Sequence, residues 1–210
     1  MKFDPETKKF VAAFIIMAVF SAMTRFTAGY ILAGVFVILA LFSLYFFRDP
    51  DRNTPEDESL LVSPADGKVV FVGKYDDPAF GKSLRIGIFM SIFDIHINRS
   101  PCSGVVELLE YVEGGFGYAG NPNAFGKNER QVIFITNEHC PIIVHQIAGM
   151  VARRIVCRVS EGQNLECGER IGIIRFGSRV ETIAPFDKVE TLVKVGDRVK
   201  CGTTPIARWV

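Results

Sequence analysis

Three stretches of the sequence carry residues able to do covalent chemistry. In I-I-R-F-G-S-R-V, residues 173–180, Gly177 precedes Ser178 within a strand-like run. A serine hydroxyl can attack its own preceding carbonyl when the peptide is strained, a base takes the proton and donors hold the oxyanion. Glycine permits such a backbone and leaves the carbonyl uncrowded. The resulting ester can break by elimination, and the serine remnant then loses ammonia to leave a pyruvoyl group, a ketone that no ordinary side chain supplies. The second stretch, F-M-S-I-F-D-I-H-I-N-R-S-P at 89–101, is an alternating apolar strand that carries His96 beside Asp94, Asn98 and Arg99. The third is S-P-A-D-G with Asp66. Each also has a plain structural reading: a strand bulge at Gly-Ser, a satisfied strand histidine, and a turn aspartate before glycine.

These residues need elements to hold them, and the chain of 210 residues allows one catalytic-size domain with a small appendage. Its mean hydropathy of +0.24 is high for a soluble domain, and the excess lies in the first fifty residues. Phe10–Met23 and Thr27–Phe47 are uncharged throughout, with only Thr24, Arg25 and Phe26 between them, which predicts a tight helical hairpin over residues 1–48. The second run can cross a bilayer core of about 30 Å by itself; the first covers only about 21 Å and either tilts in, re-enters or lies at the interface. Lys2, Lys8 and Lys9 before the hairpin and Arg48 and Arg52 after it outnumber Arg25 at its turn, which places both ends in the cytoplasm. A cleaved signal peptide fits less well, because the apolar stretch is too long and no small-residue cleavage site ends it. A buried core hairpin is the other reading. The charged segment at 49–59, with Pro50 and Pro55, reads as a linker.

With 24 Lys+Arg against 23 Asp+Glu and a net charge of +1, the chain has no basic surplus for nucleic acid. Cysteines 102, 140, 157, 167 and 201 form no C-x-x-C pair and are expected as free thiols in a reducing compartment. His96, His139 and His145 lack metal-ligand spacing, so no metal is expected.

Residues 60–210 are predicted to be mainly β, a compact sandwich or barrel. Short β-branched segments recur at 61–62, 68–72, 84–90, 104–112, 131–136, 142–147, 151–159 and 170–174, and no long stretch of period 3.6 occurs among them. V-S-P-A-D-G-K-V-V at 62–70 and V-K-V-G-D-R-V-K-C-G-T-T-P-I-A at 193–207 resemble the opening and closing strands of a biotinyl/lipoyl-type hammerhead barrel. Gly196 there can take positive φ and Asp197 can bond its own turn. The lysine that a carrier of this type displays is not evident, which favours a turn framework. The glycine-rich run at 112–130 lacks the spacing of a nucleotide loop and reads as a mobile loop, a candidate lid near a head group. Arg153, Arg154 and Arg158 are candidates for a lipid phosphate, with Arg154 and Arg158 on one strand face, or else are solvated strand charges.

S-P-A-D-G, F-D-I-H-I-N-R-S-P, I-A-G-M-V-A-R-R-I at 147–155 and F-G-S-R at 176–179, in that order behind an apolar hairpin, resemble the short branch of the phosphatidylserine decarboxylase family over residues 60–210. The resemblance implies a proenzyme that cuts itself between Gly177 and Ser178 into a β chain, 1–177, and an α chain, 178–210, which stay together as a heterodimer; a higher oligomer is left open. It implies that Ser178 becomes the pyruvoyl cofactor, with Asp66 and His96 as its charge-relay partners during cleavage. Longer members carry a second histidine three residues after the first, usually given the relay role, while the earlier one serves decarboxylation. That position is Arg99 here, so His96 either does both jobs or shares them with His145. The implied reaction joins the amine of phosphatidylserine, a membrane phospholipid, to the ketone as a Schiff base and releases CO₂ and phosphatidylethanolamine. Three alternatives stay open: the same chemistry on an archaetidylserine-type ether lipid, a membrane-tethered hammerhead-barrel adaptor without activity, and a homologue that binds lipid but never matures.

Overall fold

A computed structural model describes residues 2–121, 126–150, 154–175 and 177–210. The chain forms two compact units, Met1–Asp51 and Arg52–Val210. In the first, β1 (Lys2–Phe3) pairs with β2 (Arg48–Asp49) around two helices, α1 (Glu6–Met23) and α2 (Thr27–Phe46). The reversal between the helices falls on Arg25, whose φ of 55° is the left-handed turn that so short a connection demands. Phe14 stacks on Phe36 across the pair, and Phe10 on Phe47. Thr27–Phe46 is long and apolar enough to cross a membrane.

In the second unit the strands are β3 (Leu60–Val62), β4 (Gly67–Asp77), β5 (Gly81–Met90), β6 (Ile97–Arg99), β7 (Gly104–Val112), β8 (Arg130–Thr136), β9 (Ile142–Ile147), β10 (Ile155–Cys157), β11 (Asn164–Leu165), β12 (Arg170–Ile174), β13 (Ser178–Pro185), β14 (Val189–Thr191), β15 (Arg198–Val199) and β16 (Pro205–Trp209). No helix occurs after residue 60 among the described residues. Eight strands in the order β11-β7-β8-β9-β13-β5-β4-β15 make one antiparallel sheet curled into a half-barrel. Two three-stranded sheets, β10-β12-β6 and β14-β16-β3, complete the unit. The mainly β class and the apolar helical pair are as the sequence predicts.

Strand alternation builds the core. Val180 and Ala184 on β13 share a face with Ile86, Ile88 and Met90 on β5, Ile142 and Val144 on β9, and Ile133 and Ile135 on β8, all buried in one cluster. The opening and closing turns do meet: the Val69 N–H donates to Asp197 O, the Gly196 N–H to Val69 O and the Gly202 N–H to Ser63 O. Gly196 has φ 105°, and the Asp197 carboxylate accepts the Lys194 N–H, as its turn requires.

Two expectations change. The predicted strand at 151–159 is reduced to β10, with 151–153 outside the described residues. The run at 173–180, read as one strand with a bulge, is two strands of different sheets, because the chain leaves the β10-β12-β6 sheet at Ile174 and enters the centre of the half-barrel at Ser178.

Candidate active site

The switch between sheets puts Gly177 and Ser178 at the mouth of the central strand. Gly177 has φ 74°, a left-handed backbone that a side chain resists, although a Cβ there would meet nothing within 4 Å; the glycine serves conformation, not space. Ser178 opposes Met90 of β5 and is fully buried, and its Oγ has no hydrogen-bond partner among the described residues.

His96 precedes β6 and is likewise fully buried. The Gly177 N–H donates to its Nε2 at 3.1 Å, and its Nδ1 lies 2.9 Å from Asp94 O. An Nε2 that accepts leaves the proton on Nδ1, so the backbone carbonyl of Asp94 fixes both tautomer and ring orientation. The imidazole therefore points its unprotonated nitrogen at the residue whose carbonyl Ser178 would attack.

Asp66 is engaged elsewhere. Arg52 Nη2 donates to both of its oxygens, at 2.8 and 2.9 Å, and the Cys201 N–H donates to one at 2.7 Å. These bonds pin the turn at 64–67 to the C-terminal strands, and the same turn takes the Arg99 N–H at Pro64 O. Arg99 donates from Nη1 to Gly168 O at 3.0 Å and packs its chain against Gly202, contacts that brace the end of β6.

His145 lies one strand away, on β9 opposite Glu181. Burial, then the positive charges of Arg130 and Arg85, push its pKa down to about 3, so it is neutral wherever the protein is folded near neutrality. On the same face of β13, Arg179 and Glu181 form a fully buried ion pair, with Arg85 Nε 3.9 Å from Glu181. Arg179 Nη1 also donates to Asn121 O at 3.2 Å, which ties the glycine-rich segment to the residue next to Ser178. Asn128 organises that segment further: it bonds both polar groups of the Gly117 backbone and the carbonyl of Ala148. Residues 122–125 of the loop lie outside the described residues.

Arg154 is exposed beside the end of β12, where the Arg175 N–H reaches its carbonyl at 3.3 Å. Arg158 sits at the far end of β10, so the two do not converge, and Arg153 lies outside the described residues. The five cysteines are free, and burial raises the pKa of Cys140 and of Cys167 to about 11, which leaves these thiols protonated and unreactive.

One residue that the sequence did not single out stands against the Gly177 carbonyl. A Cβ on Gly149 would fall 1.9 Å from Gly177 O and 3.0 Å from its carbon. The glycine of I-A-G-M thus makes room for the Gly177 carbonyl. Its place in a strand-to-loop junction next to the buried Ile147 and Ala148 was the available signal.

The family model described as phosphatidylserine decarboxylase matches residues 39–207. The chain is 44% identical over 202 residues to the phosphatidylserine decarboxylase proenzyme of Symbiobacterium thermophilum, covering 95% of this chain and 92% of that one. It is 43% identical over 213 residues to the proenzyme of the same name from Pelagibacter ubique, covering 99% and 96%. The fold and these matches define an enzyme of the decarboxylase class. More narrowly, the chain belongs to the phosphatidylserine decarboxylase family.

Two outcomes follow from the geometry. Gly149→Ala must push the Gly177 carbonyl aside, so the self-cleavage expected from the sequence at 177–178 should slow, read as accumulation of full-length chain on a denaturing gel; cleavage at the wild-type rate would show that the carbonyl has room to move. Between the ordinary histidine pKa of 6.5 and about 3, unfolded His145 binds a proton that folded His145 refuses. Stability should therefore fall as pH drops through that window, by up to about 1.4 kcal/mol per pH unit. His145→Gln should flatten the slope, measured by urea unfolding of the uncut Ser178→Ala chain.

Proposed function

We propose that the protein is a membrane-attached phosphatidylserine decarboxylase that matures by cutting itself between Gly177 and Ser178. The observation that carries this reading is the hydrogen bond from the Gly177 N–H to His96 Nε2 at the entrance of the central strand. It sets a neutral, oriented base beside a left-handed glycine and a buried serine, in a chain whose relatives are named as proenzymes.

In this reading His96 takes the proton of Ser178 Oγ as the oxygen bonds to the Gly177 carbonyl carbon. The C–N bond then breaks, the proton passes to the nitrogen of residue 178, and the two residues are joined by an ester. Loss of the Ser178 α-proton expels the Gly177 carboxylate, and water replaces the nitrogen, releasing ammonia. Asp66, held by Arg52 and Cys201, acts as a positioning residue for the turn next to His96, while Asp94 O supplies the direct orienting contact. Arg179 and Glu181 would lie on the α chain, and Asn121 and Arg85 on the β chain. Their contacts would hold the new terminus in register and the two chains together.

The residues fit a pyruvoyl group formed from Ser178, since its buried Oγ has no hydrogen-bond partner among the described residues and the preceding Gly177 N–H is bonded to the His96 imidazole. Such a group supplies a ketone that joins the substrate amine and accepts the electron pair left by CO₂. His96 stays beside it to return a proton to the carbon that lost CO₂. The substrate is phosphatidylserine and the product phosphatidylethanolamine, with Arg154 as a candidate head-group contact. The hairpin containing Thr27–Phe46 attaches the chain to the cell membrane, with the catalytic unit on the cytoplasmic side.

Purified wild-type protein should run as two chains on a denaturing gel, Ser178→Ala as one, and His96→Ala largely as one. Removal of residues 1–47 should leave the cut intact and lower turnover on phosphatidylserine in vesicles far more than on a short-chain, water-soluble phosphatidylserine. A wild-type chain that stays whole yet decarboxylates would overturn the mechanism, and normal cutting in His96→Ala would remove His96 from it.

A further inference from the structure

The strand registers bring several connections to the end of the half-barrel that holds Ser178. β5 leaves this end at Met90 opposite Ser178, β9 leaves it at Ile147 opposite Arg179, and β4 enters it with Lys68 opposite Phe89. Arg198 of β15 lies next to Lys68. The connections carry large apolar side chains turned to solvent: Phe93 is 64% exposed, Met150 61%, Tyr118 58% and Ile92 41%. All stand close to the reacting bond. Phe93 adjoins Asp94, which orients His96; Met150 follows Gly149, which packs on the Gly177 carbonyl; and the Tyr118 ring rests on Phe89 at 5.5 Å.

Cations stand among them. Lys68 and Arg154 are exposed, and the Arg198 side chain is 74% exposed. Of the carboxylates at this end, Asp94 accepts from Ser91 and Arg198, Glu129 binds the Tyr111 hydroxyl, and Glu113 stands exposed at the end of β7. Apolar prongs interleaved with exposed cations, Lys68, Arg154 and Arg198 against Glu113 as the exposed carboxylate, on loops instead of in a groove, match a bilayer interface: the prongs enter the acyl boundary while the cations meet anionic head groups.

We propose that this rim docks the catalytic unit on an anionic lipid surface, with Phe93, Met150 and Tyr118 inserted and Lys68, Arg154 and Arg198 at head-group level. The inference rests on the decarboxylase reading for its purpose but not for its geometry. Docking in this way brings the reacting end of the sheet to the lipid, so a diacyl substrate need lift only its head group toward Ser178.

The test uses the full-length protein reconstituted in vesicles containing phosphatidylserine. Phe93→Trp should be quenched by lipids brominated on the acyl chain, beyond any quenching of native Trp209 in the parent. The double variants Phe93→Ser with Met150→Ser, and Lys68→Glu with Arg198→Glu, should still cut themselves into two chains. Their turnover on vesicle substrate should fall about tenfold or more, while turnover on dispersed short-chain phosphatidylserine stays within about twofold. Raised salt should shrink the deficit of the charge variant alone. No excess quenching of Phe93→Trp, or equal losses on both substrates, would overturn the docking surface. A wild-type protein inactive on both substrates would instead count against the decarboxylase reading, and the quenching would still decide the rim.

Discussion

Gly177 carries the left-handed turn that moves the chain from one sheet to another, and its N–H is held by a buried imidazole. Most of the site follows from that one arrangement. Because β12 ends in a three-stranded sheet and β13 begins in the middle of the eight-stranded one, Ser178, the first residue of β13, is paired with Met90 of β5 and closed off from solvent. Ser178 is thereby desolvated, and His96 is brought in from the segment before β6, which pairs with β12. The carbonyl of Gly177 then has space only because residue 149 lacks a side chain.

The central strand bears a cost. Arg179 and Glu181 are fully buried on β13, on the face opposite the apolar cluster. Burial pushes the Glu181 carboxyl up, and Arg179 and then Arg85 oppose it. A buried pair of this kind adds little net stability, but removal of one partner strands the other at roughly 3–5 kcal/mol. Arg85 is further settled over the rings of Phe71 and Tyr75. The charges fix the register of the strand that starts at Ser178 and, through Asn121, bring the glycine-rich segment next to it.

Much of this was legible in the sequence. Short β-branched runs located β4, β5, β7, β8, β9 and β12, because their apolar side chains are buried against one core. The helical pair was legible because two uncharged runs leave only three residues for the turn. β13 was not, since R-V-E-T-I-A carries charges that ordinarily mark an exposed strand, and only the tertiary structure shows Arg179 and Glu181 neutralising one another inside. The bond from Gly177 to His96 and the approach of Gly149 join positions 81 and 28 residues apart, and no local pattern encodes such distances. Asn128 is a similar case: its type gives no hint that it staples Gly117 to Ala148.

The account depends on Ser178 becoming the first residue of a new chain that has lost its amino group. An intact-mass measurement on the purified protein tests this most directly. The account predicts a small chain of residues 178–210 whose mass corresponds to a pyruvoyl group in place of serine and which resists Edman degradation, together with a large chain of residues 1–177. A single chain of full-length mass in a preparation that decarboxylates phosphatidylserine, or a small chain that begins with an intact serine, would contradict it.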